Sequence, residues 1–141
     1  MTLLALIASV TCLATPVRTL SDGSVVVRSG PITGYITPGY DVVRGHFSLH
    51  VGPWRVKDSL SQKIPWYIRA DAAGGSAIVM IATRLRPLPK RTFQQTFQTG
   101  GSGYPQGTVY PSNIEPPSAG CWRLTMRAGH VTAGFIALVR K

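Results

Sequence analysis

The sequence predicts an all-β sandwich of about seven short, mostly antiparallel strands. Three observations carry this expectation. Fifteen glycines and eleven prolines are scattered along 141 residues, which cuts the chain into segments too short for long helices. Hydrophobic residues make up 44 %, enough for one domain of this length to fill a core without relying on metals or disulfides. The C-terminus carries a hairpin pattern. There Trp122, Leu124 and Met126 alternate with Arg123, Thr125 and Arg127, Gly129-His130 makes a turn, and Val131, Ala133, Phe135, Ala137 and Val139 return on one face.

The remaining elements follow in chain order. Asp22-Gly23 is a turn signal, and residues 24–28 after it hold the β-branched run Val25, Val26, Val27. Pro31, Gly34, Pro38 and Gly39 then read as an irregular stretch. Phe47, Leu49 and Val51 alternate with His46, Ser48 and His50, the mark of a half-buried strand. Gly52-Pro53 breaks it, with a short continuation expected over residues 54–57. Residues 65–69 (Pro-Trp-Tyr-Ile-Arg) form another short strand. A turn-rich loop over 71–75 leads into residues 77–83, apolar at every position but the last, which predicts a central strand covered on both faces. The prolines and glycines of residues 86–120 predict a long irregular region, interrupted by one short strand near 108–110.

Charge is the most unusual quantity. Fifteen Lys and Arg face five Asp and Glu, a formal charge of +10 and a pI near 10.5. Such a surface attracts anions over a Debye length, about 8–10 Å at physiological salt. The expected partners are an anionic envelope polymer, anionic lipid head groups or nucleic acid, with another envelope protein as a further possibility. The candidate contacts are Arg55, Arg69, Arg84, Arg86, Lys90 and Arg91. A scattered basic surface without a partner is the plainer alternative, because these residues stand singly or in pairs.

Residues 3–14 are uncharged and apolar, too short to span a bilayer and the right length for the hydrophobic region of an export signal. Ala14 is a tolerable cleavage residue, although Met1-Thr2 lacks the usual basic charge. The chain therefore divides into 1–14, a signal or anchor segment, and 15–141, a single β-sandwich domain. The same run could instead be a buried first strand. Cys12 and Cys121 are the two cysteines. They could form one long-range bridge, or Cys12 could be removed with the signal.

The segment Pro117-Ser118-Ala119-Gly120-Cys121-Trp122-Arg123-Leu124-Thr125, with the Gly129 turn after it, resembles the C-terminal hairpin of a group of small, mostly uncharacterised bacterial exported proteins. Those proteins carry a Pro-x-x-Gly-Cys-Trp-x-(Val/Leu)-Thr motif. Asp22-Gly23-Ser24-Val25-Val26, Pro65-Trp66-Tyr67 and Arg84-Leu85 fit the same group. The resemblance implies an immunoglobulin-like sandwich, export, and no catalytic or binding residues to carry over. It also implies that Cys121 pairs with a cysteine near the mature N-terminus, a part Cys12 plays only if cleavage falls before it.

Catalytic and metal chemistry finds little material. His46 and His50 are four residues apart, which on a strand separates them by about 13 Å, too far for one ion held by bonds of about 2 Å. Gly100-Gly101-Ser102-Gly103 is neither a nucleophile elbow nor a phosphate loop, because no strand-to-helix context and no Lys-Ser/Thr follow it. A carboxylate pair would have to come from Asp22, Asp41, Asp58, Asp71 and Glu115. No catalytic residue, cofactor or metal is therefore expected. Trp54-Arg55 and Trp66-Tyr67 with Arg69 offer a stacking platform for sugars or single-stranded nucleic acid. The stronger expectation is that Trp54, Trp66 and Trp122 fill the core. The function expected is an exported, non-enzymatic binding or structural domain, with a single-stranded nucleic-acid binder as the alternative.

Overall fold

A computed structural model describes residues 12–52, 63–69, 72 and 76–141. Every regular element in them is a strand. They are β1 (Arg18–Thr19), β2 (Val25–Ser29), β3 (Ile32–Ile36), β4 (Val42–Val43), β5 (His46–His50), β6 (Trp66–Ile68), β7 (Ile78–Arg86), β8 (Thr92–Phe97), β9 (Gly101–Tyr104), β10 (Gly107–Tyr110), β11 (Gly120–Ala128) and β12 (Val131–Arg140). Two six-stranded sheets result, one in the order β1-β2-β3-β6-β10-β9 and the other β4-β5-β12-β11-β7-β8. All pairings are antiparallel except β5 with β12.

The predicted hairpin is the spine of the second sheet. Nine residue pairs join β11 to β12, from Gly120↔Val139 to Ala128↔Val131. Trp122, Leu124 and Met126 point inward with Phe135 and Ala137, and all are buried. From the first sheet Val27, Ile32, Trp66, Ile68 and Tyr110 meet them. Trp66 lies 5.1 Å from Phe135 between ring centroids, in a tilted contact that joins the sheets. Its indole N–H donates to Ser112 Oγ at 3.0 Å, and that hydroxyl donates to the Ile64 carbonyl at 2.7 Å, so the largest core side chain leaves no polar atom unpaired.

Among the described residues twelve strands replace the expected seven: two are the two-residue strands β1 and β4, and the other three lie in two misread stretches. Residues 31–39 contain β3, disguised by Pro31 and Gly34. Gly34 is there for space, since a Cβ at that position would lie 2.4 Å from the Trp66 ring. Residues 86–120 contain β8 and β9 besides β10, the strand expected near 108–110, because edge strands tolerate Gly and polar Gln and Thr where a central strand would not. The strand expected over 77–83 is β7, interior to its sheet but covered on one face only. Ile78, Met80 and Ala82 are buried, while Ile81 faces solvent. The expectations for residues 54–57, for Trp54 and for the 71–75 loop (Ala72 excepted) lie outside the described residues.

Residues 12–17 run alongside β12 and β5. Thr15 N–H donates to the Ile136 carbonyl at 2.8 Å, and the Thr15 carbonyl accepts from Phe47 N–H at 2.8 Å. Pro16 bridges His46. A disulfide joins Cys12 to Cys121 across 109 positions, with Cα atoms 5.3 Å apart. Cleavage after Ala14 would thus remove half of the bridge and a buried alanine with it.

A polar cluster closes the β4–β5 side. Arg140 Nε donates to Ser48 Oγ at 2.9 Å and its Nη2 to the Tyr40 carbonyl at 3.2 Å. Beside it Asp41 is fully buried, and its Oδ2 accepts from Thr37 N–H at 2.9 Å. Burial pushes the Asp41 carboxyl up to about 6, against the pull of the Thr37 amide and Arg140. A carboxyl whose pKa is higher folded than unfolded binds more protons in the native state. Its stabilising contribution is therefore complete below about pH 4 and is lost as pH rises to about 6. The size is on the order of 2–3 kcal/mol. Asp41→Asn abolishes this component, so chemical denaturation at pH 4 and pH 7 should show the wild type gaining about that much relative to the variant at pH 4. Parallel pH profiles would contradict it. His50, which burial pushes down, acts in the opposite sense and cancels in this comparison.

Candidate functional site

The outward face of the first sheet carries the most organised surface chemistry. Strand parity sets it up: Trp66 and Ile68 point into the core, so Tyr67 between them points out. Register brings Thr33 opposite Tyr67 on β3 and Arg28 opposite Thr33 on β2. Tyr35 is two residues beyond Thr33 and shares its face. The rings of Tyr35 and Tyr67 meet edge-to-face at 5.2 Å, and those of Tyr67 and Tyr104 at 6.0 Å. Three tyrosines from β3, β6 and β9 thus form a row across the sheet.

At one end of this row lies a cavity of about 260 Å³, lined by Arg28, Gly30, Pro31, Thr33, Tyr35, Arg69 and Gln106. Arg28 Nε donates to Thr33 Oγ1 at 3.1 Å, which aims the guanidinium along the sheet. Arg69 N–H donates to the Pro31 carbonyl at 3.2 Å, fixing the backbone that carries the second guanidinium. Burial, with Tyr104 and Tyr35 close by, pushes the Tyr67 phenol above its ordinary value, so it stays a neutral hydrogen-bond donor. Among the described residues no carboxylate lines the cavity. Two cations, a threonine hydroxyl, a glutamine amide and aromatic edges are the groups that bind an anionic, hydroxyl-rich chain.

The other candidate contacts separate from this face. Arg84 is 7 % exposed, with Nη1 donating to Ser118 Oγ at 2.9 Å and Nη2 to the Pro89 carbonyl at 3.1 Å. It is a structural clamp rather than an anion contact, because it shares the inward parity of Ile78, Met80 and Ala82. Arg86, Lys90 and Arg91 are exposed at the β7–β8 hairpin. Arg55 lies outside the described residues. Of the six cations singled out in the sequence, the cavity takes Arg69 alone. Arg28, Tyr35, Tyr104 and Gln106 are additions that the sequence did not single out. Parity within β2, β3 and β6 marks Arg28, Tyr35 and Tyr67 as outward, but only the long-range register makes them neighbours.

The stacking platform expected around Trp66 is therefore carried by Tyr67 instead, since Trp66 is in the core. Of the histidines, His46 is exposed, and His50 is half-buried against Tyr40 at 4.9 Å. Among the described residues no group of three His, Cys, Asp or Glu could hold a metal ion. The motif residues Gly120-Cys121-Trp122 all have structural parts: a close approach to the Arg86 carbonyl, the disulfide, and a buried indole that donates to the Ser118 carbonyl at 3.0 Å. No protein-family model, curated protein or solved structure matches the chain.

Proposed function

We propose that the protein is an exported, non-enzymatic, immunoglobulin-like domain that binds an anionic envelope polymer through Arg28, Tyr35, Tyr67 and Arg69. The observation that carries this reading is the cavity that brings the two arginines Arg28 and Arg69 beside a tyrosine row. A uronate- or phosphate-bearing glycan satisfies both halves, its charges at the arginines and its sugar faces on the rings. Export is supported by the disulfide, a bond that persists in oxidising compartments and is rare where thiols are kept reduced. The apolar run of residues 3–14 points the same way.

Strand order supports the immunoglobulin-like reading. The run β3-β6-β10-β9 matches the A-B-E-D sheet, and β12-β11-β7-β8 matches G-F-C-C′. The chain departs from antibody domains in its bridge, which ties the segment before β1 to β11, and in its described tryptophans, Trp66 and Trp122, which stand on β6 and β11.

Arg28→Ala with Arg69→Ala should weaken binding to a soluble polyuronate by about a hundredfold, on the order of tenfold per charged contact. Fluorescence polarisation with labelled polymer measures this, and an unchanged affinity would contradict the assignment. Single-stranded nucleic acid is the second reading, favoured by the same tyrosine row, on which bases could stack. It predicts tighter binding of an oligonucleotide than of a polyuronate of equal charge, with a log–log salt slope of about −0.7 per phosphate contact.

A further inference from the structure

A second surface, remote in chemistry from the tyrosine row, stands at the β7–β8 hairpin. Seven consecutive residues, 86–92, are exposed: Arg-Pro-Leu-Pro-Lys-Arg-Thr. Leu88 at the centre is 75 % exposed, and Arg86, Lys90 and Arg91 surround it in sequence. Single exposed leucines are ordinary. This one differs because a protruding apolar side chain is flanked in sequence by exposed cations on a turn pinned by hydrogen bonds at its base. Arg84 N–H donates to the Arg91 carbonyl at 2.7 Å across the hairpin base. The buried Arg84 guanidinium ties Pro89 to Ser118. Two of the three described side-chain carboxylates are held within their own loops: Asp22 Oδ1 accepts from Ser24 N–H, and Asp41 is buried and accepts from Thr37 N–H.

A second observation places more apolar surface at the same end. Cys121 pairs with Arg86 in the sheet and is bonded to Cys12, so the disulfide sits at the base of this hairpin. Leu13, next to Cys12, is 81 % exposed. Cys12 and the exposed Leu13 therefore stand at the base of the hairpin that carries Leu88.

We propose that this end of the molecule docks on an anionic lipid bilayer, with Leu88 seated at the acyl boundary and Arg86, Lys90 and Arg91 against the lipid phosphates. Charge complementarity selects the partner: an exposed apolar tip flanked by exposed cations matches a surface that offers phosphates above hydrocarbon. The polymer-binding face is not involved, so either proposal can fail alone.

The test is flotation of the full-length, oxidised protein with phosphatidylglycerol-containing or pure phosphatidylcholine vesicles. The wild type should partition to the anionic vesicles and far less to the neutral ones. Lys90→Ala with Arg91→Ala should reduce that partition about 25-fold, about fivefold per cation. Leu88→Asp should reduce it about tenfold, the loss of most of one leucine's burial. Both sites are exposed, so folding is not at stake. All variants share the N-terminal run, so differences among them report the tip. Absence of wild-type binding would overturn the proposal, as would Leu88→Asp binding like wild type. So would an equal loss in Arg28→Ala with Arg69→Ala, since that marks attraction by net charge alone.

Discussion

Replacing Cys12 by serine lowers the melting temperature of the oxidised protein by roughly ten to fifteen degrees. The bridge spans 109 positions and so holds together nearly the whole domain. The chain-entropy relation gives a closure of that length about 4.7 kcal/mol, an upper figure because real bridges often deliver less. At roughly 3 °C per kcal/mol for a domain near this size, the shift follows. The cysteine side chains contribute little else, whereas the Thr15 hydrogen bonds to β12 and β5 stay in place in the variant. Thermal unfolding of wild type, Cys12→Ser and reduced wild type checks this. The last two should melt together, well below the first. Coincident melting of all three would mean that the bridge constrains nothing the strands do not already hold.

Gly120→Ala destabilises the fold by about 3 kcal/mol or more. Gly120 sits at φ +142°, a backbone region that essentially only glycine enters, at a cost for other residues of about 1–3 kcal/mol. A Cβ there would also lie 2.2 Å from the Arg86 carbonyl oxygen and 3.0 Å from the Pro87 ring. Backbone atoms in a paired ladder cannot yield cheaply, so the clash adds to the strain. The register between β11 and β7 shifts between Cys121 and Trp122, where Leu85 is the extra residue, so Gly120 lies next to a bulge rather than in it. Gly134→Ala is the matched control, because its added Cβ meets nothing within 4 Å. Urea denaturation should show Gly120→Ala strongly weakened and Gly134→Ala close to wild type. Equal effects at the two glycines would refute the close-approach argument.

These two positions show how far the sequence could be read. The Gly-Cys-Trp motif was visible as a pattern, and its hairpin followed from alternation over nine residues. Why glycine opens the motif was not legible, since the oxygen that excludes a side chain belongs to Arg86, thirty-four positions earlier. Strands β2, β5 and β6 were legible because their apolar residues alternate or are β-branched. Strands β3, β8 and β9 were not: Gly34, Gly101 and Gly103 read as breakers when each sits within a paired strand, and the polar Gln and Thr of β8 hide its alternation. Arg84 was readable in principle: it continues the inward series Ile78, Met80, Ala82, and counting by twos would have buried it. The tyrosine row was out of reach. Tyr35, Tyr67 and Tyr104 are neighbours only through the pairing of β3, β6, β10 and β9, which no local pattern specifies.

The most direct test of the proposed binding face is an amide NMR titration of the oxidised full-length protein with a soluble polyuronate. Binding at the tyrosine–arginine face predicts perturbed signals for Arg28, Thr33, Tyr35, Tyr67 and Arg69, with residues 86–91 unmoved. Perturbations confined to residues 86–91, spread evenly over every basic residue, or absent at saturating polymer would contradict it.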